Sequence, residues 1–263
     1  MIVGVKQIGL LIFIIFISIG GWRTKNLSLS GSLMALLVGC MIGYSYGMEG
    51  LLILGVFFLS SSIWSHLFKQ GKIGMEERLA KSSVRDWQQV LANGGPAALF
   101  AFLYSVTGND IWTFSFVTSI AAANSDTWAS EIGPLSKGDP LSIRTFKRVP
   151  KGTSGAISFI GTVGALLGSA IISFVFFFIL YPFDSKLFLL ISCVGFLGNV
   201  IDTLLGAYWQ LENQCCVCHQ RTERKEHCHQ QTARIKGYSW LNNEWVNASS
   251  CLVAGVIIFF ILI

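Results

Sequence analysis

The sequence predicts an all-α, polytopic transmembrane helical bundle of about eight spans, with both termini outside. Three observations predict it. Of the 263 residues, 52% are hydrophobic and only 13% are charged, against about 25% charged in an ordinary soluble domain. The apolar residues gather in runs near the ~20 residues that cross a bilayer core. The basic residues avoid those runs and fall in alternate connections. A single integral-membrane domain over residues 1–263 follows, multi-pass in the cell membrane.

The runs cover roughly 3–20, 28–47, 50–68, 89–107, 110–130, 153–181, 187–209 and 243–263. Seventeen of the nineteen Lys and Arg lie after the first, third, fifth and seventh runs. The other connections, YSYGMEG, TGND and YPFDSK, hold almost none. Loops rich in Lys and Arg stay in the cytoplasm, which puts the 69–88, 132–152 and 210–242 loops inside. The net charge of +5 is thus a topology signal, and no nucleic-acid partner is expected. The first run lacks an A-x-A-like cleavage site and is followed at once by Arg23 and Lys25, so it reads as an uncleaved span.

Spans one to three carry small residues, such as Gly31, Ser32, Gly39 and Gly43, which let membrane helices pack closely. The next connection, from Met75 to Val90, reads as a helix on the membrane surface, with Met75, Leu79, Val84, Trp87 and Val90 as its apolar stripe. Asn93 follows, just before Gly94-Gly95-Pro96, at the cytoplasmic edge.

Span five holds the costly residues: Asn124, Asp126 and Glu131. An Asp at mid-membrane costs roughly 2.5–3.5 kcal/mol on insertion scales, so a functional role is the default expectation. Gly133-Pro134 then breaks the chain, and Lys137, Arg144, Lys147, Arg148 and Lys151 follow before Gly152-Thr153-Ser154-Gly155 opens span six. Span seven repeats the theme with Asn199 and Asp202-Thr203. Spans five and seven both run inwards, so Asp126 and Asp202 should reach similar depth and converge. Magnesium phosphate sites use one or two carboxylates plus substrate oxygens. The last span opens with Asn242, Asn243, Glu244 and Asn247, more polar groups than helix capping requires.

The 211–240 stretch reads as a cytoplasmic Cys/His-rich loop. Cys215-x-x-Cys218, with His227, Cys228 or His229 nine to eleven residues on, has the donors for a tetrahedral zinc site; Cys215, Cys218, His227 and Cys228 are the favoured set. A loop without metal is the plain alternative. Cys40, Cys193 and Cys251 lie in apolar spans and read as packing residues.

The motifs QVLANG (89–94), NSDTWASEIG (124–133), KGTSGAIS (151–158), the D-T-LLGA-x-x-Q run (202–210) and LNNEWVN (241–247) resemble an integral-membrane family that includes the plant phytyl-phosphate kinases. A looser similarity, at Asp126, Gly133, Lys147, Lys151, Gly152 and Thr153, extends to CTP-dependent phytol and dolichol kinases. Glu244 stands where the family pattern suggests Asp, and the Cys/His cluster has no expected counterpart in the plant enzymes. The resemblance implies nucleotide-dependent phosphoryl transfer to a membrane-embedded isoprenoid phosphate or alcohol. Asp126 and Asp202 would hold Mg²⁺, with Glu131 as a third ligand or water partner. Lys147, Arg148 and Lys151 would neutralise the triphosphate of CTP or ATP, and Gly152, Thr153 and Ser154 would cradle phosphate at a helix N-terminus. Asn93, Asn124, Asn199, Asn243 and Asn247 would complete the polar surround. Two alternatives stand beside this reading: a transporter or flippase for an anionic lipid or small metabolite, and a membrane-anchored zinc module.

Overall fold

The computed structural model describes residues 4–68, 81 and 83–263. Seven helices dominate: α1 (Val5–Arg23), α2 (Leu29–Leu67), α3 (Trp87–Thr107), α4 (Ile111–Ile132), α5 (Phe159–Ile179), α6 (Ser185–Tyr208) and α7 (Asn243–Leu262). Between α4 and α5, β1 (Leu141–Ser142) pairs antiparallel with β2 (Ala156–Ile157). Between α6 and α7, β3 (Glu212–Gln214) lies between β4 (Arg221–Thr222) and β7 (Ala233–Lys236), and β5 (Glu226–His227) pairs with β6 (Gln230–Gln231).

Among the described residues, six helices are long and apolar enough to cross a membrane, all but α4. At 39 residues, a straight α2 would be nearly twice as long as the ~30 Å hydrocarbon core is thick. It is not straight. Gly47 has φ +63° and ψ −144°, a conformation that a residue with a Cβ rarely adopts. A Cβ placed on Gly39 would lie 3.9 Å from Leu51 Cδ2, whereas twelve residues along one helix span about 18 Å. The chain therefore folds back at Gly47, and the two runs expected there are the two arms of one helical hairpin.

The position of α4 explains its polarity. Every residue from Thr113 to Ser125 is buried, and the helix packs against α2, α3, α5, α6 and α7. A helix enclosed on all sides needs no apolar face for lipid. Its neighbours approach it through small residues: a Cβ on Gly198 would lie 2.5 Å from Ala122 Cβ, and one on Gly195 would lie 2.7 Å from Ala121 Cβ. Hydrogen bonds tie the same faces, with Asn124 Nδ2 donating to Gly168 O at 2.7 Å and Ser125 Oγ to Ala165 O at 2.9 Å. Small residues and interhelical hydrogen bonds are the usual means of helix association in lipid.

Three local expectations need correction. The surface helix expected over Met75–Val90 lies largely outside the described residues (69–80 and 82), and it does not run through 83–86. There Asp86 caps α3, accepting the Gln89 N–H at 3.0 Å while Gln89 Oε1 accepts the Asp86 N–H at 3.0 Å. That capping box fixes an extended N-cap and starts a new helix. Span six begins at Phe159 rather than 153. Positive φ at Gly152 (82°) and Gly155 (74°) excludes helix over that stretch, and Ser158 caps α5 by accepting the Gly161 N–H. The loop expected over 211–240 is a set of short antiparallel strands, so the chain is mostly helical rather than all-α.

Candidate active site

α4 and α6 lie in parallel register: Gly195 meets Ala121, Gly198 meets Ala122, and Asp202 meets Asp126. The Asp126 and Asp202 carboxylates are within hydrogen-bond reach of each other. From the antiparallel α7, Ser250 Oγ donates to Asp202 Oδ2 at 3.2 Å. The Asn247 amide, turned to satisfy both of its ends, donates to the same oxygen at 3.0 Å. Thr127 and Thr203 have equivalent roles, their hydroxyls donating one turn back to Ala123 O at 2.8 Å and Asn199 O at 2.9 Å.

The two carboxylates face a cavity of about 380 Å³ at this end of the bundle. Asp126, Glu131, Asp202, Lys151, Gly152, Thr153, Ser154, Asn199, Asn243 and Asn247 line it. The β1–β2 connection forms one wall. Lys151 Nζ donates to Pro134 O at 2.7 Å and Ser136 O at 2.6 Å, so two of its three protons are already placed. Gly155 packs onto α6 so tightly that a Cβ would collide with the Ala207 backbone. Next to it, Ser154 Oγ donates to Gln210 Oε1 at 2.8 Å, and Gln210 Nε2 donates to Glu223 Oε1 at 2.7 Å. Lys236 Nζ caps the end of α6, donating to Gly206 O at 2.9 Å.

Four expected residues lie elsewhere. Asn124 is fully buried, with its amide on Gly168 O and its Oδ1 accepting from Ser60 Oγ at 3.2 Å. Asn93 Nδ2 donates to Gln89 O at 3.0 Å, within its own helix. Lys147 is exposed, and so is Arg148, whose Nη1 donates to Asp139 O at 2.6 Å. Gly152–Ser154 do line the cavity, but as a turn five to seven residues before α5 rather than as its first residues; the start of α5 that borders the cavity is Ser158 and Gly161.

The cavity also holds residues that the sequence reading did not single out. Lys81 forms ion pairs with Asp86 at 2.8 Å and Glu244 at 3.0 Å. Ser65 Oγ donates to Glu131 Oε1 at 2.7 Å. Arg85 lies over the Phe58 ring at 5.5 Å and reaches Ser62 Oγ at 3.5 Å. Burial lowers its pKa from the ordinary value, and the Glu131 carboxylate opposes that shift. With Glu223, five carboxylates and three cationic side chains line the cavity. That acid excess, with two carboxylates in hydrogen-bond reach, suits a hard divalent cation with oxygen ligands.

Farther along the α6–α7 connection, ligand atoms of Cys215, Cys218, His227 and Cys228 all lie within 4.8 Å of one another. Cys215 is buried, Cys218 and Cys228 are exposed, and His227 is half-buried. Backbone N–H groups of Cys218 and Val217 push the Cys215 thiol down to about 6. His229, the other ligand considered, is outside the group.

A profile described as an integral membrane protein family, DUF92, matches residues 12–255. Among curated proteins, the chain is 33% identical to the uncharacterized membrane protein MJ0933 of Methanocaldococcus jannaschii, over 89% of this chain and 85% of that one. It is 30% identical to Protein PGR of Arabidopsis thaliana, over 92% and 93% of the two chains. It is 26% identical to the chloroplastic Protein VTE6 of the same plant, over 88% of this chain and 64% of the relative. No solved structure matches the chain.

Proposed function

Because the chain belongs to the DUF92 family of integral membrane proteins, we propose that it transfers a phosphoryl group from CTP or ATP to a membrane-embedded isoprenoid monophosphate, at the cytoplasmic face. The observation that carries this reading is the meeting of Asp126 and Asp202 in a cavity walled by the Lys151–Ser154 turn. Resemblance to the phytyl-phosphate kinases supports the acceptor class. In the proposed topology both arms of α2 and α4 also cross the bilayer, giving eight crossings with both termini outside.

Asp126 and Asp202 would hold Mg²⁺, which would supply charge neutralisation on the donor's phosphate oxygens. Lys151, pinned by two carbonyls, presents a fixed positive charge beside that position. Asn247 and Ser250 orient the Asp202 carboxylate, and Glu131, held by Ser65, is a further acceptor for a water. An acceptor oxygen of the isoprenoid monophosphate forms the new bond to the terminal phosphorus as the bond to the nucleoside diphosphate breaks. That acceptor is already ionised at neutral pH, so catalysis rests on positioning and charge rather than on a strong base. The apolar faces of the surrounding helices would hold the prenyl tail.

A transporter would place its polar groups near mid-membrane. Here Asp126 and Asp202 lie in the last third of α4 and α6, and Asn243 and Asn247 at the start of α7. The test is a donor and acceptor screen on detergent-purified protein with Mg²⁺, read by mass spectrometry. Formation of an isoprenoid diphosphate, abolished in Asp126→Asn, is the expected result. No nucleotide binding, together with substrate movement in proteoliposomes, would overturn the reading. Cysteine labelling of intact cells tests the topology: position 140 should be closed to an impermeant reagent outside.

A further inference from the structure

We propose that Cys215, Cys218, His227 and Cys228 bind one zinc ion, and that this metal holds the strand unit that presents Glu223 to the cavity. The geometry fits the metal. A tetrahedral zinc with Zn–S of ~2.3 Å and Zn–N of ~2.0 Å needs sulfur and nitrogen about 3.5 Å apart. Cys218 Sγ lies 3.4 Å from His227 Nδ1, and Cys228 Sγ lies 3.2 Å from the same nitrogen. All three thiols are free of disulfides.

The backbone is bent to bring these donors together. The first arm turns after β3, where the Val217 N–H reaches Cys215 Sγ at 3.4 Å and the His219 N–H reaches Cys215 O at 3.1 Å. The second arm is the β5–β6 hairpin, whose two turn residues are Cys228 and His229. Such a turn favours Asn and Gly, because both positions take positive φ. Here Cys228 has φ 51° and His229 φ 58°, and His219 in the first arm has φ 58°. Three of the five non-glycine residues with positive φ among the described residues therefore lie in this short stretch. Left-handed backbone at non-glycine residues is unfavourable and persists when something else fixes the fold. Within 211–240 few residues are fully buried, Cys215, Asn213 and Thr222 among them, and so small a core does not hold a module by itself. A metal supplies what the core lacks.

The consequence reaches the cavity. Glu223 lies between β4 and β5, four residues before His227, and Asn213 Nδ2 braces that bend by donating to Arg224 O at 3.1 Å. Glu223 accepts from Gln210, and Gln210 accepts from Ser154 in the cavity wall. Fixing both arms at the metal thus fixes the wall.

The inference is independent of the transfer reaction and is tested without it. Full-length protein, purified under reducing conditions, should carry about one zinc per chain by elemental mass spectrometry, as a single four-ligand site requires. Cys218→Ser should lose the metal and Cys216→Ser, beside the site but outside it, should keep it. Should Cys218→Ser fail to fold, chelated wild-type protein titrated with Co²⁺ gives the same answer through the intense visible bands of a tetrahedral cobalt thiolate. Hydrogen exchange should rise on zinc removal across 212–231 and also across 150–156, and zinc re-addition should reverse it. Wild-type protein that holds no zinc and takes up neither Zn²⁺ nor Co²⁺, or one with a disulfide among these cysteines, would overturn the site. Exchange that rises only in 212–231 would overturn the link to the cavity wall.

Discussion

α4 and α6 carry the same residues, Asn, Asp and Thr, in nearly the same order, and use them differently. In α4 the Asn precedes the Asp by two positions; in α6 it precedes by three. At about 100° per residue, two positions turn the Asn about 200° away from the Asp, while three return it to within about 60°. Asn124 accordingly points away from the cavity, into the packing against α5 and α2, whereas Asn199 lines the cavity beside Asp202. One residue of spacing separates a side chain that joins helices from one that faces the cavity. The difference teaches that similar motifs on two helices should be compared by angle as well as by composition.

The largest expected effect falls where the two helices agree. Asp126→Asn and Asp202→Asn should each reduce product formation by at least about 10²-fold, since charge stabilisation of several kcal/mol is at stake. Because the pair would act as a unit, the double variant should be little worse than either single one. Additive losses in steady-state turnover would separate the two carboxylates in function.

Gly198→Leu attacks the contact that brings the helices together. A side chain pressed against Ala122 should cost about 1–3 kcal/mol of overpacking and lower turnover as well, checked by thermal unfolding and product assay on one preparation. The paired Asn residues should then split. Asn124→Ala should destabilise by about 1–2 kcal/mol through lost interhelical hydrogen bonds, with turnover of the folded fraction unchanged. Asn199→Ala should leave the unfolding transition in place and raise KM or lower kcat. Like behaviour of the two variants would mean that the spacing does not separate the roles of Asn124 and Asn199. Smallest of all, Lys147→Ala and Arg148→Ala, exposed and away from the cavity, should change turnover by no more than about threefold, as solvent-screened charges do.

Much of this was legible in the sequence, for identifiable reasons. Spans announce themselves because lipid leaves the backbone few options, and Asp126 and Asp202 stood out because carboxylates in apolar runs are rare. The Cys215-x-x-Cys218 spacing led to the side chains that do converge with His227 and Cys228. Lys81, Arg85 and Glu223 were not legible, because they reach the cavity from connections whose course depends on tertiary contacts, such as the hydrogen bonds of the Arg85 backbone to Asn26 and Ser28. The start of α5 was not legible, because the sequence does not announce the positive φ at Gly152 and Gly155 or the Ser158 cap that together move the helix start to Phe159. Lys147 and Arg148 belong to a basic cluster, and charge density alone does not say which of its members face the cavity.

The enclosure of α4 also bears on how the protein is made. A chain emerging from a ribosome presents α4 before α5, α6 and α7, three of the five helices that surround it in the finished bundle. Taken alone, α4 has weaker reason to leave water than any of its neighbours, since it carries Asp126, Glu131 and a run of hydroxyl side chains. In the proposed topology, its insertion into the bilayer would therefore be a collective step that waits on the C-terminal helices. A chain arrested before α6 would leave α4 without the partners that enclose it, a segment that neither lipid nor water suits.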